Sequence, residues 1–195
     1  MKKIAISQRI DKIASYNETR DALDQRWWNL FNICDLTPII FPNDLSLAYK
    51  MLECFALDGV ILTGGNQSQE RLEVESLLIE FSIMRNIPLL GICHGMQMIQ
   101  HYFGIPLIKA ANHVKELQEI LIDGQPEIVN SYHDYGSFEI TDEFIVWAKA
   151  HDGMIKAIKH SQYPLTGIMW HPERIMPFAK RDIQLIKTIF YGPNV

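Results

Sequence analysis

The length, composition and charge of the chain exclude several classes of protein. Its 195 residues fit one domain of ordinary size, and we interpret residues 1–195 as a single domain. A hydrophobic fraction of 48% is enough for a large core that needs no metal or disulfide. The formal net charge is −5 and the basic residues are scattered, which argues against a nucleic-acid-binding surface.

Apolar runs and cysteines set further limits. The apolar runs are too short to span a membrane, and no signal-peptide stretch follows Met1. The three cysteines form no C-x-x-C pair, so we expect neither a metal site nor a redox disulfide. We therefore expect a cytoplasmic protein without metal or cofactor, in which at most one thiol is reactive. Cys34 and Cys54 have no special context and are interpreted as core or surface filler.

Short β-branched runs alternate with helical patterns in the first half of the chain. The predicted strands are residues 3–7, 38–41, 59–63 and 88–92, and the predicted helices are residues 20–33, 45–55, 70–85 and 94–103. In the first of these helices, Leu23, Trp27, Leu30 and Phe31 fall on one face. Strands that alternate with helices of this length predict right-handed βαβ units and a parallel sheet.

The pattern changes after Gly104. Strand-like segments follow at residues 117–122, 127–130, 144–150, 154–159 and 165–170, with little helix between them. A carboxyl-terminal helix is predicted at residues 182–190. We expect an α/β fold with a mostly parallel central sheet, in which some later strands form a small antiparallel extension or flap.

A strand–turn–helix motif around Cys93 is the most informative stretch. Cys93 stands in G-I-C-H-G, between the predicted strand at 88–92 and the predicted helix at 94–103. Such a turn forces its central residue into a strained conformation and exposes the side chain above the sheet. Gly91 and Gly95 supply the small neighbours it needs, and the helix N-terminus favours a negative charge on the thiol. We interpret Cys93 as a nucleophile; the alternative is an inert buried cysteine.

The histidines are candidates for the acid–base partner that a cysteine nucleophile needs. They are His94, His101, His113, His133, His151, His160 and His171. His171 follows a strand-like segment and opens the sequence H-P-E, which brings the carboxylate of Glu173 within reach of its ring. We interpret His171 as acid and base and Glu173 as the group that orients it. A surface turn that contains both by chance is the alternative.

An oxyanion hole needs two N–H donors near the nucleophile. The backbone N–H of His94, directly after Cys93, is one candidate. Gly64 and Gly65 end the predicted strand at 59–63, and the N–H of Gly65 is the other candidate, because glycine lets the backbone approach a substrate closely. A plain strand-ending turn is the alternative for this glycine pair.

Four motifs together resemble the class I glutamine amidotransferases. They are T-G-G at 63–65, G-I-C-H-G-M-Q at 91–97, V-N-S-Y-H at 129–133 and W-H-P-E at 170–173. Their order and spacing match along nearly the whole chain. The resemblance implies a flavodoxin-like three-layer fold with the nucleophile at the carboxyl ends of the strands.

Among these proteins the chain is most similar to the stand-alone γ-glutamyl hydrolases, which implies a small-molecule γ-glutamyl substrate. Gln97 and the backbone at Ser131, Tyr132 and His133 would hold the glutamyl amino and carboxylate groups. The resemblance also assigns Gly64, Asn66 and Asn130 to the substrate site. Gln97 as a helix-surface residue and His133 as a loop histidine are the alternatives from the residues alone.

Two departures concern the leaving-group side. Asn66 stands where the hydrolases often carry aspartate, and Asp134 and Tyr135 stand where they often show His-Gln. A different leaving amine is therefore expected. More narrowly, the chain resembles the hydrolases of bacterial capsular phosphoramidate biosynthesis. That resemblance implies hydrolysis of γ-glutamyl-CDP-amidate to glutamate and cytidine diphosphoramidate.

Several cations follow the first predicted strand and should lie at the carboxyl edge of the sheet. They are Arg9, Lys12, Arg20 and Arg26. These side chains could contact a diphosphate, with Arg9 as the main candidate, or they could lie on a solvated loop and helix face.

Three other functions stay open at this point. The chain could be a glutaminase that supplies ammonia to a partner synthetase, a hydrolase of another γ-glutamyl amine, or an inactive scaffold on the same fold. The scaffold is disfavoured because such proteins are expected to lack a complete triad. A flavodoxin-type nucleotide binder is also disfavoured, since Ser7-Gln8-Arg9 is not a glycine-rich phosphate loop.

Overall fold

A nine-stranded sheet forms the centre of the fold in a computed structural model that describes residues 1–193. The strands are β1 (Lys2–Ile6), β2 (Arg9–Ile13), β3 (Glu18–Ala22), β4 (Leu36–Ile40), β5 (Gly59–Leu62), β6 (Leu89–Ile92), β7 (Ile108–Lys109), β8 (Val114–Ile122), β9 (Gln125–Tyr132), β10 (Tyr135–Gly136), β11 (Phe144–Ala150), β12 (Ile155–His160) and β13 (Leu165–Ile168). The α-helices are α1 (Arg26–Ile33), α2 (Leu45–Cys54), α3 (Gln69–Arg85), α4 (His94–Tyr102) and α5 (Lys180–Tyr191).

The main sheet has the strand order β4-β1-β5-β6-β13-β12-β11-β8-β9. The first five strands in this order, β4, β1, β5, β6 and β13, pair in parallel. The last four strands in this order, β12, β11, β8 and β9, continue the same sheet in antiparallel pairs. The predicted α/β fold with an antiparallel extension is therefore confirmed. Because parallel strands end at a common edge, the loops after β5, β6 and β13 meet there.

Helices cover both faces of the parallel strands. Ile4 and Ile6 of β1 pack in the cluster that contains the buried residues of α1 and α5. Ala5, between them, packs in the cluster that contains buried residues of α2, α3 and α4. Adjacent strand residues point to opposite faces, so this alternation produces three layers. The central strands β5, β6 and β13 are buried throughout, as expected for strands covered on both faces.

The first helix is shorter than predicted, because a hairpin precedes it. Residues 20–22 belong to β3, which pairs antiparallel with β2, and α1 begins only at Arg26. The carboxylate of Asp24 accepts a hydrogen bond from the Arg26 backbone N–H at 2.9 Å and so marks the helix start. The helical spacing of Leu23 and Trp27 extended the predicted helix back to residue 20, over the end of β3.

The other predicted boundaries agree with the structure within a few residues. The segments at 117–122 and 127–130 are longer strands, β8 and β9, joined at Asp123 and Gly124, which both have positive φ angles. The short strands β7 and β10 were not predicted and form a small antiparallel pair. Within residues 1–193, no helix is long and apolar enough to cross a membrane.

Candidate active site

The backbone at Cys93 has the strained turn that the sequence predicts. Cys93 joins β6 to α4 with φ 52° and ψ −102°, a conformation that costs free energy for any residue with a Cβ. A Cβ on Gly91 would lie 2.5 Å from the carbonyl oxygen of Gly95. A Cβ on Gly95 would lie 2.2 Å from the carbonyl oxygen of Leu62. Both positions therefore require glycine for this turn to form.

His171 lies beside the thiol and is held by Glu173. The ring Nδ1 of His171 is 2.7 Å from Glu173 Oε1, and both side chains are buried. Burial alone would lower the pKa of His171, but Cys93 and Glu173 outweigh it and raise that pKa to about 9. Because Nδ1 is engaged by the carboxylate, Nε2 is the nitrogen left for the thiol. The three side chains form one electrostatically coupled group.

Asn130 on β9 fixes the backbone of His171. Its Nδ2 donates to the His171 carbonyl oxygen at 2.8 Å, and the His171 N–H donates to Asn130 Oδ1 at 2.7 Å. This buried amide is therefore committed to the protein. The prediction that Asn130 binds substrate is not tested by these two contacts, which occupy its side-chain amide with the backbone of His171.

The glycine loop after β5 contacts the histidine ring. A Cβ on Gly64 would lie 2.3 Å from His171 Cε1, so the ring packs directly on this backbone. Gly65 has φ 131°, which side-chain-bearing residues rarely adopt. Gly65, His94 and Cys93 line one cavity, so both predicted oxyanion donors lie on the same pocket as the thiol.

That pocket gathers four of the eight predicted substrate residues, Asn66, Gln97, Tyr132 and His133. Its volume is about 240 Å³, and its lining is Gly65, Asn66, Gln67, Cys93, His94, Gln97, Tyr132, His133, Asp134 and Tyr135. Gln97 Nε2 donates to the Tyr135 carbonyl oxygen at 2.8 Å, which ties α4 to the opposite wall. Gly64 lies outside this lining, in a small cleft with Arg9, Glu173 and Arg174.

Three predicted substrate residues use their side chains within the protein. Asn66 Nδ2 donates to the Ile10 carbonyl oxygen at 2.6 Å and ties the glycine loop to β2. The buried hydroxyl of Ser131 donates to the His113 carbonyl oxygen at 2.6 Å. Arg9 is paired with Asp11 at 3.0 Å. Only the backbones of Asn66 and Ser131 remain for a substrate.

A buried ion pair on α3 supports the glycine loop, and the sequence analysis did not identify it. Arg71 Nε lies 2.9 Å from Glu75 Oε1, with both side chains fully buried. Arg71 Nη1 donates to the Asn66 carbonyl oxygen at 2.9 Å, and Glu75 Oε2 lies 3.2 Å from His94 Nε2. Burial would raise the pKa of Glu75, but Arg71 and His94 lower it. The i, i+4 spacing on a predicted helix was the available signal.

A second missed group is Lys156, on β12 behind the pocket. It is 1% exposed, and its Nζ lies 2.6 Å from His133 Nε2 and donates to Ser131 Oγ at 3.1 Å. Burial lowers the pKa of Lys156 to about 7, although Asp152 and Cys93 act to raise it. Burial and Lys156 lower the pKa of His133 to about 3. His133 is therefore neutral.

These contacts fix the tautomer of His133. Its Nε2 faces Nζ of Lys156, which carries N–H donors whether or not it is charged. The proton of His133 is therefore on Nδ1, which lies 2.9 Å from the Tyr135 carbonyl oxygen. The two hydrogen bonds that join Lys156 to His133 and His133 to Tyr135 hold one wall of the pocket. A lysine within the apolar run I-K-A-I was the sequence signal. Within residues 1–193, no group of three or more His, Cys, Asp or Glu side chains could hold a metal ion.

Two proteins of known name are similar to this chain over more than two thirds of its length. The gamma-glutamyl-CDP-amidate hydrolase of Campylobacter jejuni is 33% identical, with 96% of each chain covered. A glutamine-hydrolyzing GMP synthase subunit from Methanopyrus kandleri is 30% identical over 70% of this chain and 71% of its own.

Solved structures share the fold. A protein from Thermoplasma acidophilum, described as a GMP synthase subunit, superposes with a TM-score of 0.75 at 22% identity, covering 97% of this chain and 94% of its own. The acivicin-bound glutaminase domain of Trypanosoma brucei CTPS has a TM-score of 0.72 at 12% identity and covers 100% of this chain and 96% of its own. Residues 21–188 match the family described as glutamine amidotransferase class-I. The chain therefore belongs to the class I glutamine amidotransferases, as its four motifs predicted.

Proposed function

We propose that the chain hydrolyses a γ-glutamyl amide through a γ-glutamyl thioester on Cys93, and that its substrate is γ-glutamyl-CDP-amidate. The chemistry is supported above all by one observation, the strained Cys93 beside a histidine that Glu173 holds at 2.7 Å. The substrate is supported by the 33% identity, over 96% of each chain, with the Campylobacter jejuni hydrolase of that substrate.

In the first half of the reaction the thiolate attacks the γ-carbonyl carbon. The carbonyl π electrons move to oxygen, and the N–H groups of Gly65 and His94 stabilise the resulting oxyanion. When the carbon–nitrogen bond breaks, the imidazolium of His171 gives its proton to the leaving nitrogen. A histidine whose pKa is raised to about 9 carries that proton at neutral pH. Cytidine diphosphoramidate leaves, and the glutamyl group stays on sulfur.

In the second half water replaces the amine. Neutral His171 accepts a proton from water, and the hydroxide attacks the thioester carbon. The carbon–sulfur bond then breaks, glutamate is released, and the thiolate–imidazolium pair is restored. Glu173 stabilises the charged ring in both halves, and Asn130 keeps the ring in place through the backbone.

The glutamyl group would occupy the pocket next to Cys93. Its wall contains Gln97, which bridges to Tyr135, and the backbone at Tyr132 and His133. We propose that these polar groups bind the amino and carboxylate ends. The neutral His133, held by buried Lys156, keeps this wall in position.

A second candidate is a glutaminase that supplies ammonia to a synthetase partner. The relationship to glutamine-hydrolyzing GMP synthase chains supports it. It predicts glutamine as the preferred substrate and turnover that rises when the partner is added. Substrate preference therefore separates the two functions.

The test is a comparison of kcat/KM for purified wild-type and Cys93→Ala protein on γ-glutamyl-CDP-amidate, γ-glutamyl-aminobutyrate and glutamine. We expect γ-glutamyl-CDP-amidate to be hydrolysed best and the variant to be inactive on all three. Undiminished activity of Cys93→Ala would overturn the mechanism, and a preference for glutamine would overturn the substrate. An electrophilic glutamine analogue that leaves no adduct on Cys93 would support an inactive scaffold.

We further propose that residues 1–195 form one domain that functions in the cytoplasm. One sheet runs through both the parallel and antiparallel parts, which supports a single domain. Cys34, Cys54 and Cys93 are all free thiols, which fits a reducing compartment.

A further inference from the structure

The arginines near the candidate site differ in how closely their charge is paired with a carboxylate. Three of those singled out in the sequence form an ion pair with a carboxylate two positions away. The pairs are Arg9 with Asp11, Arg20 with Glu18 and Arg26 with Asp24. A guanidinium neutralised by its own neighbour has little attraction left for an anionic ligand. These arginines are therefore weak candidates for a diphosphate contact.

Arg174 is paired less closely. Its Nε lies 3.4 Å from Glu173 Oε1, an oxygen that His171 Nδ1 already engages at 2.7 Å, and within residues 1–193 its Nη atoms make no hydrogen bond. The guanidinium carbon lies 5.3 Å from the ring centroid of Tyr132, so the cation is supported by an aromatic face. The side chain is 28% exposed, enough to meet a ligand from solvent.

The position of Arg174 is fixed relative to the acid–base histidine. Its backbone N–H donates to the His171 carbonyl oxygen at 3.1 Å, and its own carbonyl oxygen accepts from Arg26 Nη1 at 3.3 Å. The ring of Tyr132 is close to both side chains, 6.0 Å from the His171 ring and 5.3 Å from the Arg174 guanidinium carbon. Arg174 and Tyr132 thus lie on the same side of the site as the proton donor.

The reaction requires the leaving nitrogen to reach His171. Whatever group that nitrogen carries must then lie next to the imidazole, against Tyr132 and Arg174. We propose that Arg174, supported by the face of Tyr132, binds anionic phosphoryl oxygens on the leaving nitrogen. This inference rests on the proposed γ-glutamyl hydrolysis and identifies the residues that select a phosphate-bearing leaving group. A guanidinium suits this task, because its paired N–H donors match two phosphoryl oxygens.

The experiment compares two substrates, γ-glutamyl-CDP-amidate and the uncharged-leaving-group amide γ-glutamyl-p-nitroanilide. Arg174→Met should lower kcat/KM for the first by about 30-fold, the size expected for a lost charge-assisted bidentate contact. For the anilide the loss should stay below about 3-fold, since a neutral leaving group makes no ionic contact. The kcat/KM of Arg174→Lys for γ-glutamyl-CDP-amidate should lie between those of wild type and Arg174→Met, because lysine keeps the charge but lacks the paired N–H donors of the guanidinium.

Arg85→Met is the matched control. Arg85 also lies over an aromatic ring, 5.6 Å from the centroid of Phe81, but at the last turn of α3, remote from the carboxyl edge of the sheet. Arg85→Met should leave kcat/KM for both substrates unchanged. This result would separate a local contact of Arg174 from a general effect of losing positive charge.

The outcomes distinguish this inference from the proposed function. Equal losses on both substrates would mean that Arg174 acts only through Glu173 and His171, and would overturn the inference alone. No loss on either would also overturn it. Wild-type protein that cleaves only the anilide would overturn both the inference and the substrate, while the thioester chemistry would stand. Wild-type protein that cleaves neither would overturn the proposed function and the inference together.

Discussion

His171 is the residue whose charge the site controls most strongly. It is buried between a thiol and a carboxylate, and the two acidic partners raise its pKa to about 9. A raised pKa keeps the ring protonated through neutral pH, so that it is ready to donate to a leaving nitrogen. As pH rises through about 9 the ring loses this proton, and kcat/KM should decline.

Replacing Glu173 should expose this dependence. Glu173→Gln keeps the shape but removes the charge that stabilises the imidazolium, so kcat should fall by about 10⁴-fold, the loss typical when the orienting carboxylate of a triad becomes an amide. The alkaline limb of the pH–rate profile should also move to lower pH. A profile measured from pH 5 to 10 on either substrate tests both effects.

Glu116→Gln serves as the control for that profile. Glu116 is an exposed carboxylate on β8 and should change neither the rate nor the limb. If Glu173→Gln retained the wild-type rate and limb, the orienting role of Glu173 would be wrong.

At the scale of elements, α3 supports the glycine loop through a charge pair inside the protein. Arg71 and Glu75 share one face of the helix at 2.9 Å, and the guanidinium reaches the carbonyl oxygen of Asn66. Buried ion pairs seldom increase stability over an apolar pair of similar size. Removing one partner is nevertheless destabilising, because it leaves the other charge buried and unpaired. The pair therefore holds the loop rather than stabilising the core.

A single and a double substitution should separate these two effects. Arg71→Met leaves Glu75 without its main partner and should lower the free energy of unfolding by about 3 kcal/mol or more. Adding Glu75→Leu should recover at least about half of that loss, because no lone buried charge remains. Urea unfolding measures both. Activity should stay low in both variants, since the loop has lost its support.

The surface pair of Lys2 and Asp58 gives the comparison. Its side chains are partly exposed, so Lys2→Met should cost less than about 1 kcal/mol. A double variant less stable than Arg71→Met, or one with wild-type activity, would contradict the proposal that the Arg71–Glu75 pair holds the glycine loop.

At the scale of the whole molecule, Lys156 makes stability depend on pH. Its pKa is lowered in the folded protein from 10.5 to about 7. Between these two values the unfolded chain binds a proton that the folded chain does not. The contribution of Lys156 to the free energy of unfolding therefore rises with pH between these two values, by at most about 1.4 kcal/mol per pH unit.

The difference between wild type and Lys156→Met should reveal this slope. We expect wild type to gain stability relative to the variant between pH 7 and pH 9.5, measured as the free energy of unfolding in urea. Lys159→Met is the control, because Lys159 is exposed on the same strand and its difference from wild type should be flat. A constant or falling difference for Lys156→Met would contradict the buried, neutral lysine.

Local constraints explain which features could be predicted from the sequence. The turn at Cys93 was predictable because Gly91 and Gly95 are required within a few residues of it. The order of strands and helices followed from periodicity. The hairpin at β2 and β3 was missed, because helically spaced apolar residues run into it from α1.

Other features depend on contacts between distant segments. The side chain of Asn130 meets the backbone of His171, which lies 41 positions away. Lys156 meets His133 across 23 positions. Neither contact leaves a local pattern, so the sequence could name Asn130 and His133 without revealing what their side chains do.

The positive φ angle of Cys93 bears on why a cysteine occupies that position at all. Glycine would adopt this conformation freely, whereas a residue with a Cβ pays about 1–2 kcal/mol for it. Selection for foldability alone would favour glycine at the tip of this bend. The proposed role of Cys93 as nucleophile accounts for a side chain at this position, which the conformation of the backbone alone does not favour.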